Sequence, residues 1–147
     1  MLRLLEASDI PQLLIIEHLT QQAPWTYETF QHCLNLNYPG WSILAEGKVA
    51  GFLIMSLEAG ESHILNICVH PLYQRQGYGT QLLIKSLNYA KEKGASFSYL
   101  EVRRSNKSAI LLYEKHGFDR IGERKDYYPG ALRREDALVF AKDLSVE

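Results

Sequence analysis

Three sets of residues in this sequence have types and spacings that chemistry could use. The first is Gln74-Arg75-Gln76-Gly77-Tyr78-Gly79, followed by Thr80. Two glycines let a backbone approach a ligand closely, Arg75 adds a positive charge, and the apolar periodicity beyond predicts that a helix starts here. A helix start exposes unpaired backbone N–H groups and the positive end of the macrodipole. The segment therefore predicts a site for a diphosphate or similar anion. It is not a P-loop, because no lysine follows Gly79 in the required place. Nor is it a dinucleotide fingerprint, because Leu82 stands where a third glycine is needed. Taken alone, the same letters also read as a turn that only begins a helix.

The second set is acid–base. Glu101 interrupts the apolar pattern of Ser98-Tyr-Leu-Glu-Val-Arg, near the carboxyl end of a predicted strand, where α/β sheets place ligands. A partly buried carboxylate there suits a general base; a solvated charge on the outer strand face fits the spacing equally well. Asn106 heads the next predicted helix, as an N-cap or a ligand contact. Tyr113 lies seven residues on, two turns along the same helix face, and reads as a core aromatic or as a phenolic proton donor. The third set is Cys33 and Cys68, the only cysteines. They form no C-x-x-C, so neither a metal site nor a disulfide framework is implied. Cys68, with no activating partner in view, reads as a packed small apolar residue.

These residues need elements to hold them. A short strand is expected at Arg3–Leu5, then a helix capped by Ser8, with Asp9 in its first turn, Pro11 early, and Ile10, Leu13, Leu14 and Glu17 at helical spacing to about His18. Thr26 caps a second helix ending near Asn37, with Trp25 and Phe30 placed as a hydrophobic staple. Strands 41–46 and 49–57 flank a Gly47-Lys48 hairpin turn, and 62–69 follows the Ala59-Gly60-Glu61 turn. A helix over 77–93 stops at Gly94, a strand covers 96–102, a helix capped by Ser105 or Asn106 stops at Gly117, and strands 118–124 and 137–144 complete the chain. The order β-α-α-β-β-β-α-β-α-β-β predicts the α/β class, a mixed sheet flanked by helices.

The 147 residues are expected to form a single domain, 1–147, and to bury roughly 68–70% of the unfolded surface. Sixteen Lys and Arg against seventeen Asp and Glu give net charge −1. That excludes a generally basic nucleic-acid coat. No apolar run approaches the ~18 residues of a membrane span, and acidic residues come too early at the N-terminus for a signal peptide. A cytoplasmic protein acting away from membranes and nucleic acid is expected.

Taken together, these features resemble the GNAT acetyltransferases over nearly the whole chain. Gln74–Gly79 is similar to that family's R/Q-x-x-G-x-G/A pyrophosphate loop, and Asn106-Lys107-Ser108-Ala109 with Leu112-Tyr113-Glu114-Lys115-His116-Gly117-Phe118 to its second conserved block. The resemblance implies the GNAT acyl-CoA N-acyltransferase fold, acetyl-CoA as co-substrate and no metal. It implies coenzyme contacts at Ile67, Cys68 and Val69, whose backbone would bind the pantetheine arm, and at Arg75, Gln76, Gly77, Tyr78, Gly79, Thr80 and Asn106. Glu101 would be proton acceptor and Tyr113 proton donor. Pro24-Trp25, Leu65-Asn66-Ile67, Leu100-Glu101-Val102-Arg103, Tyr127-Tyr128-Pro129 and Arg134-Glu135-Asp136-Ala137 resemble the members that acetylate the N-terminal alanine of a ribosomal protein. On that resemblance the partner is a protein N-terminus, with Trp25, Tyr127 and Tyr128 shaping its groove and the protein a monomer or weak dimer. A small-molecule amine or lysine side chain as acceptor, or a non-catalytic acyl-CoA-binding module, are the alternatives; the intact Glu101 and Tyr113 argue against the last.

Overall fold

Apolar alternation and turn chemistry generate most of the architecture. The computed structural model describes residues 1–145. Strands β1 (Leu2–Leu4), β2 (Gly40–Ala45), β3 (Lys48–Glu58), β4 (Glu61–Val69), β5 (Phe97–Arg103), β6 (Asp119–Tyr128) and β7 (Glu135–Asp143) form one seven-stranded sheet in the order β1-β2-β3-β4-β5-β7-β6. All neighbouring pairs are antiparallel except β4 and β5. The helices are α1 (Ile10–Thr20), α2 (Tyr27–Asn35), α3 (Tyr78–Glu92) and α4 (Lys107–Lys115).

Two hairpins build the centre of the sheet. Glu46 and Gly47 both have positive φ (52° and 78°), as do Ala59 and Gly60 (52° and 77°). Positive φ at both central residues gives a twist that matches the flanking strands. The first turn is thus Glu46-Gly47 rather than Gly47-Lys48, and Lys48 already belongs to β3.

Strand alternation then separates two apolar faces. Ile10, Leu13, Ile16, Phe30 and Cys33 of α1 and α2 pack over Val49, Phe52, Ile54 and Cys68. On the other face Leu82, Leu83 and Ala90 of α3 cover Trp41, Ile43, Leu53, Met55, Ile64 and Leu100, and Tyr113 joins them from α4. Thr26 caps α2 by accepting from the Thr29 N–H at 3.3 Å, and the Trp25 and Phe30 rings meet edge to face at 5.2 Å.

The chain entry into α1 departs from the sequence reading. Ser8 does not cap the helix: Ala7–Asp9 form a 3-10 turn, and Ser8 Oγ lies 3.4 Å from Glu6 Oε2. The reason is Asp9. Its carboxylate, 2% exposed, takes both arms of the Arg3 guanidinium (2.8 and 2.7 Å) and accepts the Glu6 N–H (2.9 Å) and the Ser42 hydroxyl (3.2 Å). One buried carboxylate thereby ties β1, β2 and the start of α1 together. Burial opposes its ionisation, but the Arg3, Glu6 and Ser42 donors prevail and hold it below the usual carboxylate range. A depressed folded-state pKa contributes stability above the unfolded value that is lost as pH falls through the folded one. Thermal stability is therefore expected to fall below about pH 4, and Asp9→Ala, which strands Arg3, to cost about 3 kcal/mol at pH 7 by denaturant titration. The acid-side loss should shrink in that variant.

Candidate active site

The parallel pairing of β4 with β5 covers only Glu61–Phe97 through Ile64–Leu100. Beyond it the two strands part. Leu65 is an extra residue on β4, since Ile54 pairs with Asn66 and the next residue, Met55, with Ile64; a bulge bends its strand at that point. Residues 65–69 keep β3 on one side and, among the described residues, have no strand on the other. The gap opens into two cavities.

The larger, of about 460 Å³, runs from β4 to the start of α3 and to α4. Ile67, Cys68 and Val69 form one wall, Arg75, Gly77, Tyr78, Gly79 and Thr80 another, and Asn106 and Tyr113 a third. Arg75 and Gly77 both have left-handed backbones, with φ 64° and 84°. Left-handed residues ahead of a helix turn successive N–H groups toward one point. The first α3 hydrogen bond is Gln81 N–H to Gly77 O, and the N–H groups of Tyr78, Gly79 and Thr80 have no acceptor among the described residues. At Gly79 a Cβ would meet only Leu112 and Val69, at 3.6 and 3.8 Å, so the protein's own packing does not demand glycine there. Its missing side chain keeps the anion cradle open. Gln76, exposed, is not among the residues lining this cavity.

The smaller cavity, about 150 Å³, lies between α1, the α1–α2 loop and the diverging ends of β4 and β5. Glu17, Trp25, Asn66, Glu101, Arg103 and Tyr128 line it, and Gln21, Ile67, Asn106 and Tyr113 border both cavities. Tyr113 is 5% exposed, with Phe118 and Phe140 against its ring. Burial, with smaller contributions from Cys68 and Tyr128, pushes its phenol well above the ordinary range. Asn106 Oδ1 caps α4 by accepting the Ala109 N–H at 3.3 Å, while its Nδ2 has no partner among the described residues. The side chain that caps α4 therefore also lines both cavities.

Trp25 and Tyr128 stand at this cavity, whereas Tyr127 packs on Tyr128 (4.9 Å between rings) outside it, under the Arg124 guanidinium. Tyr128 is steered by Arg103, stacked 4.7 Å over its ring and paired to Glu135 at 3.2 Å; Glu135 also accepts the Ser105 N–H. Burial, and then the Glu101 charge, raise the Tyr128 phenol. Cys68 is inert by the same physics: burial and the Glu17 charge push its thiol up to about 12. Its Sγ accepts from Gln21 Nε2 at 3.0 Å.

Sequence reasoning missed Glu17, Gln21 and His63. Glu17, fully buried, accepts the Trp25 N–H (2.7 Å) and Asn66 Nδ2 (2.6 Å), clamping the α1–α2 loop to β4. A signal existed, since a carboxylate on the apolar face with Ile10, Leu13 and Leu14 is a costly placement. His63 carried none: its one-residue contact with Glu101, Nε2 to Oε1 at 2.7 Å, crosses two strands distant in sequence.

Residues 7–118 match the Acetyltransferase (GNAT) family. The chain belongs to the GNAT acetyltransferase family. It is 37% identical over 142 residues to the [ribosomal protein bS18]-alanine N-acetyltransferase of Escherichia coli K12, covering 97% of this chain and 96% of that protein. The namesake from Haemophilus influenzae is 38% identical over 93% of this chain and 94% of its own. The crystal structure of the ribosomal-protein-S18-alanine N-acetyltransferase from Escherichia coli superposes with a TM-score of 0.93 at 36% identity, over 100% of this chain and 95% of that one. Ard1 from Thermoplasma volcanium, at 23% identity, shares the fold with a TM-score of 0.87.

GNAT acetyltransferases use acetyl-CoA, and the α3 cradle fits the anionic part of such a molecule. Gly79→Asp puts a carboxylate into that cradle without straining the backbone. Like charges about 4 Å apart repel by up to ~4 kcal/mol at an effective dielectric of 20. The variant should fold normally and raise the acetyl-CoA dissociation constant on the order of a hundred-fold, measured by calorimetry.

Proposed function

We propose that this acetyltransferase moves the acetyl group of acetyl-CoA to the α-amine of a protein N-terminus, an alanine-starting ribosomal protein such as bS18 being the substrate. The observation that carries the reading is the placing of Glu101 and Tyr113 around one small cavity, with Tyr113 also facing the larger one. Its volume, about 150 Å³, admits a group of about benzene size, which suits a small first residue. The likeness to bS18-alanine acetyltransferases across nearly the full length of both chains supports the same substrate.

The chemistry matches an α-amine. Its ordinary pKa is about 7.7–8.0 against about 10.4 for lysine, so freeing the amine at pH 7 costs about 1 kcal/mol, compared with roughly 4–5 for lysine. One carboxylate, acting directly or through water, is enough for the smaller task. Glu101 takes the proton from the ammonium, and the freed nitrogen attacks the thioester carbonyl with no covalent enzyme intermediate and no metal. The His70 N–H bonds to Ala50 of β3, so by alternation the Ile67 and Val69 N–H groups face away from β3, where one suits a developing oxyanion.

Tyr113 then faces the departing sulfur. Burial keeps its phenol protonated and able to donate, and the same dry surroundings raise the cost of a free thiolate. The proton passes from oxygen to sulfur, and the negative charge moves from the thiolate to the phenolic oxygen. Trp25 and Tyr128 flank the incoming peptide.

Purified protein, acetyl-CoA and a panel of peptides with different N-termini, read by mass spectrometry, test the assignment. Acetylation at the α-amine of an alanine-starting peptide is expected; labelling confined to lysine side chains or small amines overturns it. Glu101→Gln should lower kcat on the order of a hundred-fold or more with acetyl-CoA affinity nearly unchanged. Tyr113→Phe should lower the plateau of the kcat–pH curve and leave any alkaline limb below pH 10 in place, because the phenol stays protonated throughout that range.

A further inference from the structure

Glu101 borders two spaces. One is the small cavity just described; the other is an open groove on the outer side of β3, β4, β5 and β7, lined by Glu58, Glu61, His63 and Tyr99 among others. His63 belongs to that groove alone. On the sheet His63 pairs across with Tyr99, so Glu101 is its diagonal neighbour on the same face, within reach of a long side chain. The contact is short and well defined: Nε2 to Oε1 at 2.7 Å. Glu101 is 15% exposed at the side chain and His63 39%, so the carboxylate is largely sheltered and the imidazole reaches water. Glu101 Oε2 has no partner among the described residues.

We infer that His63 is a positioning residue for Glu101: its Nε2–H holds Oε1 and turns Oε2 into the cavity as the oxygen that receives the amine's proton. The inference rests on the assignment of Glu101 as base. Two single bonds separate a glutamate carboxylate from its Cβ, and a base that must meet one proton at hydrogen-bond distance gains from having that freedom removed. The ring can donate here only with a proton on Nε2. In the step itself one proton leaves the substrate nitrogen for Oε2, and the Nε2–H stays on the imidazole. A donor to Oε1 also stabilises the charged carboxylate. The arrangement therefore fixes which carboxylate oxygen meets the substrate nitrogen.

Two variants separate this from a structural role. His63→Leu removes the donor; His63→Gln keeps an N–H near the position of Nε2 without an ionisable group. His63→Leu should lower kcat about ten-fold, a fraction of the loss that misplacing a reacting group can cause. Its KM for acetyl-CoA and its melting temperature should stay near wild type, and His63→Gln should recover most of the rate. Wild-type kcat in His63→Leu, or an equal loss in a folded His63→Gln, overturns the inference. The rates are compared on whichever amine the wild-type enzyme labels, so failure of the alanine peptide counts against the proposed substrate and not against His63. Nitrogen NMR of histidine-labelled wild-type enzyme gives a reading free of substrate. A His63 with a proton on Nε2 whose signal moves in Glu101→Gln is expected, and one protonated on Nδ1 alone overturns the assignment.

Discussion

The proposed active site depends on the parting of β4 from β5 after the Ile64–Leu100 pair. A sheet interior normally leaves no backbone group without a partner, because an unpaired buried amide costs as much as a lost hydrogen bond. Here five residues of β4 and the last three of β5 are allowed to separate, and the groups so freed face a cavity rather than a strand. On the proposed reading an extended ligand arm pairs there as a strand would, with its anionic end at the N–H groups that start α3. The parting also sets the spacing of the chemistry. Glu101 comes from the β5 side and Ile67 from the β4 side, with Tyr113 reaching both from α4.

A gap in a sheet closes unless something holds it. On the β4 side the hold is the Glu17 carboxylate, which takes the Asn66 amide and the Trp25 N–H in one buried contact. Cys68 and Gln21 extend that network toward the coenzyme wall. On the other side Tyr113 fills the space between α4, Phe118 and Phe140. Both props are themselves lining residues, so the walls of the site and the supports of the gap are the same side chains. Substitutions at Glu17 or Tyr113 therefore act on shape as well as on chemistry. Only comparison of kcat with coenzyme affinity separates the two.

How legible this was in the sequence follows from the range of each interaction. Thr26 with Trp25 and Phe30, Asn106 at the head of α4, and Gly77 ahead of α3 act within about four residues, and their letters announce them. Strand order, the bulge at Leu65 and the Glu101–His63 contact depend on pairing between segments tens of residues apart. Ser8 shows the same limit at short range: its letter fits a cap, but Arg3, Glu6 and Ser42 converge on Asp9 and the turn tightens around that carboxylate instead. Tyr127 and Tyr128 are adjacent and look equivalent. β6 loses its regular register between Arg124 and Tyr128, with Asp126 in a left-handed backbone, and of the two rings Tyr128 reaches the cavity.

The unequal burial of the two proposed acid–base groups has a physical reason. Taking a proton from an ammonium turns a cation neutral and a carboxylate neutral, a step that dryness favours once the ions have met; the proton must afterwards return to water, so the acceptor needs a solvated side. Glu101, sheltered on one side and bordered by an open groove on the other, has both. Protonating a thiolate makes different demands. The negative charge moves from sulfur to a phenolic oxygen, and water would stabilise the free thiolate and weaken the drive to capture a proton. Tyr113, 5% exposed beneath two aromatic rings, supplies the drier setting. The graded access to water across a few residues of one cleft thus suits the proposed roles, the carboxylate at the wet wall accepting and the phenol at the dry wall donating.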